Sequence, residues 1–244
     1  MVNNLETGFL SNENIANYHE PFEIFDSISY LGDMLFGVHI SEGFRSAPAE
    51  YLYRAILYVL CKLQLTQSQY RYEFNFIFAS DDITWGKKEI NNEKILQYLT
   101  MQNQSRRENH SSQPEIHDFL ESFFNRNQTL QVPEDVENRI RTMILDGSVH
   151  YEYLEYEDRG LVLSLLSEFD HIIITVGTFG FWAAMLTTLR DCVQAATHEG
   201  FLTRRIVLYY TEHAAPFSGL RATYDYPTYF PTQLGWKGIY LPSD

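Results

Sequence analysis

The chain predicts an α/β fold, a Rossmann-like parallel sheet with helices on both faces. Three observations lead there. Short apolar runs rich in β-branched and aromatic residues, such as Met34 to Ile40 and the run opening at His171, suit strands buried on both faces. Stretches with apolar residues at helical spacing alternate with them, and that alternation is the pattern of a parallel sheet. Finally, three polar or glycine-bearing turns, His39 to Gly43, Ser80 to Asp82 and Gly177 to Gly180, follow directly on strands, at the edge where such sheets gather their ligands.

Residues 1–33 read as a polar arm, Asn-rich at first, with one short amphipathic helix over PFEIFDSISYL from Pro21 to Leu31. The folded domain is expected over 34–244. MLFGVHI, 34–40, is the first strand, and Pro48 to Leu63 follows as a helix with Pro48 and Glu50 placed as first-turn residues should be. Tyr72 to Ala79, aromatic and alternating, is the second strand. Ser80-Asp81-Asp82 then leads into ITWGKKEINNEKILQYL, helical apart from Gly86. The polar stretch 101–114 predicts a loop, helices are expected at 115–125 and 134–145, and Tyr151 to Tyr156 is a short strand. Asp158 precedes RGLVLSLLSEF, whose apolar residues recur at helical spacing. The run from His171 is a strand that breaks into Gly-Thr-Phe-Gly and opens onto the helix FWAAML, and RIVLYY, 205–210, is the last strong strand. From Thr211 the Pro- and aromatic-rich chain is expected to pack without regular structure.

Composition narrows the function. A hydrophobic content of 45% excludes wholesale disorder. Thirty-two acidic against 18 basic side chains leave a formal charge of −14, which repels phosphate backbones and argues against nucleic-acid or anionic-membrane partners. An anionic ligand therefore needs a local cationic pocket on an acidic background. Cys61 and Cys192 allow at most one disulfide, and buried free thiols are the expectation. No run of about 18 apolar residues occurs and the start lacks the basic and apolar regions of a signal peptide, so no anchor, leader or membrane contact is expected in this chain. Sequons at Asn103, Asn109 and Asn127 would suit a lumenal protein. His171, His198 and His213 show no metal-ligand spacing.

The Gly177 to Gly180 turn, between a strand and a helix, is built to hold an anion: glycines admit close approach, and the first amides of a helix lack internal partners. At Ser80 to Asp82 one carboxylate is free to accept hydrogen bonds from a ligand hydroxyl or base edge while the other caps the helix.

Thr175 to Ala184, TVGTFGFWAA, is similar to the third motif of the α1,2-fucosyltransferases, where a strand runs into T-hydrophobic-G-T-F-G-aromatic-W-A-A. Phe78 to Trp85, FASDDITW, resembles the family's F-x-S-D-D-I-x-W segment. Phe36 to Ile40 resembles the strand that leads into H-x-R-R-G-D, but here His39 is followed by Ile40, Ser41, Glu42, Gly43 and Phe44, so both arginine positions and the acidic one differ. Arg45 lies just beyond. VLYYTEHA, 207–214, and Tyr229-Phe-Pro231 resemble the family's last strand and terminal F-x-P region. TTLRDCVQAATHEGFLTR, 187–204, is longer than the short turn usual there, as an insertion would be.

The resemblance implies the nucleotide-sugar-binding half of a GT-B glycosyltransferase, with residues 1–33 an arm and remnant of the acceptor-side region. It implies transfer of L-fucose, with inversion and without metal or cofactor, from GDP-fucose to a galactoside hydroxyl of a glycan, in the Golgi membrane or lumen. The diphosphate falls at the Gly177 to Gly180 turn, with Thr178 on a phosphate or sugar oxygen. The guanine falls on Asp82, or else on Asp81. His39, Gly43, Ser80, Phe179 and Trp182 complete the implied donor site, and no residue is nominated as general base. Two alternatives stand beside this one: a fragment or pseudoenzyme that keeps the fold and GDP binding without turnover, and an unrelated doubly wound module whose three turns are structural.

Overall fold

The computed structural model describes residues 34–40, 47–66, 73–109, 116–125, 130, 132–155, 158–175, 177–197, 205–211 and 235–241. The expected helix at 21–31, residues 41–43 of the first turn, Gly43 among them, and the segment 212–234 lie outside these residues. The described chain runs β1 (Met34–Ile40), α1 (Ala49–Thr66), β2 (Phe74–Ser80), α2 (Ile83–Glu89), α3 (Asn92–Asn109), α4 (Ile116–Ser122), α5 (Glu134–Leu145), β3 (Val149–Leu154), α6 (Arg159–Glu168), β4 (His171–Ile174), α7 (Thr178–Thr197), β5 (Val207–Tyr210) and β6 (Lys237–Ile239). The strands form one sheet in the order β3-β2-β1-β4-β5-β6, every neighbouring pair parallel. It is the expected α/β architecture. The chain lays β1 to β3 outward in one direction, then returns to place β4 on the other side of β1, so the strand order reverses between β1 and β4.

Alternation along β1 decides what covers each face. Phe36, Val38 and Ile40 join a core with α1, α3, α4 and α5. Leu35 and Gly37 turn the other way, toward α6 and α7, where Leu165, Leu166, Ala183 and Ala184 are buried. Gly37 is required by that approach: a Cβ there would stand 2.7 Å from the Phe169 ring and 3.0 Å from Leu166. α1 is buried on nearly every side, including a fully enclosed Arg54 whose guanidinium donates to the carbonyls of Ser122 (2.7 Å) and Phe123 (3.4 Å). Cys61 on the same helix is a buried free thiol, as expected.

Five local expectations need correction. Residues 83–99 are two helices, because Tyr153 of β3 donates to the carbonyls of Gly86 (2.9 Å) and Ile90 (2.8 Å), Ile90 is extended, and Asn91 starts a new helix by accepting from Lys94 N at 3.1 Å. The loop expected at 101–114 is helical to Asn109, since its Gln, Arg and Glu residues are good helix formers. β3 ends at Leu154 and begins at Val149. α7 opens at Thr178, three residues before FWAAML, and continues to Thr197, so much of the extra segment after Leu186 is helix. The C-terminal part contributes β6, too short at three residues to carry a periodic signal.

Candidate functional site

A cleft of about 530 Å³ opens at the carboxyl edge of β1, β2, β3 and β4, on the face covered by α6 and α7. Its position is the point of strand-order reversal, where open parallel sheets bind ligands. β1 brings His39; β2 brings Ala79 and its last residue Ser80, with Asp81 just beyond; the β4–α7 connection brings Gly177, Thr178 and Phe179. Leu154, Val162 and Arg159 complete the lining.

The two central strand ends are stitched together. Thr175 donates to the His39 carbonyl through both its amide (3.2 Å) and its hydroxyl (3.1 Å), and Tyr51 Oη donates to the Ile174 carbonyl at 2.7 Å. His39 itself is 7% exposed and its ring lies 5.1 Å from that of Phe179. Burial lowers its pKa to about 4, against the pull of the Asp81 carboxylate in the other direction, so the imidazole is neutral near pH 7. Its Nδ1 is buried without a hydrogen-bond partner.

Gly177 has φ +104°, a conformation that favours glycine, and it sets the entry into α7. Gly180 has a different reason to be glycine. A Cβ there would stand 2.8 Å from His39 Nδ1 and 3.3 Å from Ile174 Cβ, so the helix start packs directly on the end of β1. Of the expected four-residue turn, Gly177 alone stands before the helix and Thr178 to Gly180 form its first turn, whose first internal bond runs from Phe181 N to the Gly177 carbonyl at 3.4 Å.

The two aspartates divide their roles. Asp82 Oδ1 accepts from Trp85 N at 2.8 Å and caps α2, while Asp82 N donates to Ser80 Oγ at 3.0 Å. Asp81 is the exposed carboxylate that lines the cleft. Of the two carboxylates expected at a ligand, Asp81 lines the cleft and Asp82 does not. Trp182 is not part of the cleft wall either: it is 54% exposed and packs edge-on against Phe181. The structure brings His39, Ser80, Asp81, Gly177, Thr178 and Phe179 together, places Gly180 behind them, and leaves Gly43 outside the described residues.

Arg159 was not anticipated. It opens α6, whose cap Asp158 accepts from Gly160 N (2.8 Å) and Leu161 N (3.1 Å). The Asp158 cap after a strand was the available signal, because a helix start following a strand lies at the same sheet edge as the other three turns.

Fold and cleft together define a doubly wound parallel α/β protein with a ligand-sized cavity at its switch point. Compared with known proteins, the chain matches no family model, and no curated protein or solved structure is similar to it. Among the described residues, no group of three or more His, Cys, Asp or Glu could hold a metal ion, and no helix is long and apolar enough to cross a membrane.

Proposed function

We propose that the cleft holds a sugar nucleotide, GDP-fucose by the resemblance of residues 78–85 and 175–184, and that the chain is the donor-binding half of an α1,2-fucosyltransferase-like enzyme acting on a galactoside hydroxyl. One observation carries this: three turns separate in sequence, ending at His39, Ser80-Asp81 and Gly177 to Phe179, line a single cavity at the switch point. Its volume lies in the ordinary range for small-molecule sites. The diphosphate meets the first turn of α7, where amide donors and the helix dipole favour negative charge. Asp81 accepts hydrogen bonds from the guanine or the ribose, and neutral His39 serves as a hydrogen-bonding partner to a phosphate or sugar oxygen. In the transfer the acceptor oxygen bonds to the anomeric carbon as the bond from that carbon to the phosphate oxygen breaks. GDP leaves with the bonding pair, and the hydroxyl proton passes to a base that this chain does not identify.

A second reading, binding without transfer, is favoured by Ser41 and Glu42, which stand where the family has the two arginines that neutralise the departing diphosphate. Calorimetry with GDP and GDP-fucose, followed by a transfer assay on lactose, separates the two. Binding with fucosyl-lactose formation supports the enzyme, binding alone supports the second reading, and no binding of either nucleotide contradicts both.

A further inference from the structure

The charge balance of the cleft leads further, resting on the sugar-nucleotide reading above. A diphosphate brings two or more negative charges into a chain whose formal charge is −14. The cleft wall adds the Asp81 carboxylate to that burden. His39 does not offset it, being neutral near pH 7, and the end of a helix offers the equivalent of only about half a positive charge. Among the described lining residues, one side chain carries a permanent positive charge, and it is Arg159.

Its position is built rather than incidental. Asp158 fixes the start of α6 through two amide bonds, and Val162, Leu165 and Leu166 seat the helix in the core. The close approach at Gly37 holds α6 against β1. The first turns of α6 and α7 thereby line the same cleft. Asp158 Oδ1 is occupied by backbone amides, and among the described residues no carboxylate forms an ion pair with Arg159. His39 Nδ1 is buried against Gly180 at the start of α7 without a protein partner, so that nitrogen is closed off from the cleft and the neutralising charge is left to Arg159.

We infer that Arg159 is the diphosphate clamp of this protein, its guanidinium closing on the phosphate oxygens from the α6 side while the α7 amides hold them from the other. Arg159 supplies the neutralising charge that Ser41 and Glu42 cannot. A planar guanidinium engages phosphate oxygens in pairs, so the site selects nucleoside diphosphates over nucleosides.

The test is calorimetry of the full chain and of Arg159→Gln and Arg159→Lys with GDP, GMP and guanosine. Loss of a charge-assisted bond predicts about a 10- to 100-fold weaker GDP affinity in Arg159→Gln, with guanosine affinity unchanged and Arg159→Lys in between. Arg159 is exposed, so the thermal midpoint of both variants should match the parent. Equal GDP affinity in Arg159→Gln and parent overturns the clamp while leaving the sugar-nucleotide reading intact. Equal loss of GDP and guanosine overturns it too, since the residue would then act on the base or on cleft shape. If the parent binds none of the three, the sugar-nucleotide reading itself fails.

Discussion

The β2–α2 and β4–α7 corners lie at the same sheet edge, on either side of β1, and they solve the same problem in opposite ways. A helix start leaves amides without internal partners. At α2 the chain supplies its own anion, Asp82, which accepts from Trp85 N. At α7 the residue before the helix is Gly177, which has no side chain with which to cap. The α6 start resembles α2, with Asp158 as its cap. A self-capped helix has already spent its N-terminal field on a side chain, whereas one that follows a glycine keeps it for a ligand. What distinguishes the site is thus the missing cap at one corner, set beside two corners that carry theirs.

The largest effect should come from filling the contact on which the α7 corner rests. Gly180→Val places branched carbons within reach of His39 Nδ1 and Ile174, at 2.8 and 3.3 Å for the Cβ alone. Overpacking of this kind costs about 3 kcal/mol, readable in urea melts, and should abolish GDP binding by pushing α7 off the strand ends. The same substitution at Gly160, which meets only Asp158 Oδ1 at 3.2 Å, should cost clearly less.

Acid should break the same corner next. The folded pKa of His39, about 4, lies below its ordinary value, so the unfolded chain takes up a proton first as pH falls. Its contribution is complete above about pH 6.5 and is lost progressively toward pH 4, amounting to roughly 2 kcal/mol between pH 7.5 and 5. His171, whose pKa burial lowers to about 3 and whose Nδ1 accepts from Ile206 N, adds a loss in the same direction, while Glu152, raised by burial, opposes both. Urea midpoints measured across this range should fall monotonically, and a flat profile would contradict the assignment of a buried neutral His39.

The two aspartates sharpen the contrast at smaller scale. Asp82→Ala should cost about 1 kcal/mol through the lost cap and leave guanosine affinity nearly unchanged. Asp81→Asn should do the reverse, leaving stability within about 0.5 kcal/mol while weakening GDP and guanosine alike by about tenfold. If Asp82→Ala were the variant that lost nucleotide affinity, the division of labour between the two carboxylates would be reversed.

Most of the sheet could be read from the sequence because its strands are nearly continuous apolar runs, and FNFIFAS or VLYY leave little alternative. What escaped was decided by tertiary contact. Within 83–99 the Asn91 cap is a faint local sign of the break, which is fixed by Tyr153, more than sixty residues away, donating to Gly86 and Ile90. Polarity misled at 101–109, where Gln and Arg, good helix formers, continue a helix. In the candidate site the three turns were visible as punctuation after strands. The choice between Asp81 and Asp82 was not, because a cap and a ligand acceptor are the same side chain until the helix start is located. Arg159 was hidden for a simpler reason: the Asp158 cap marks a helix start at the sheet edge, but only the fold shows that the arginine after it lines the cleft.

The most direct measurement is a titration of the isotopically labelled chain with GDP, followed by amide resonances. The expected result is saturable perturbation centred on Gly177, Thr178, Phe179, Ser80 and Asp81, with α3 and α5 unmoved. Absence of saturable shifts, or shifts centred away from the α7 start, would contradict a nucleotide site at that corner.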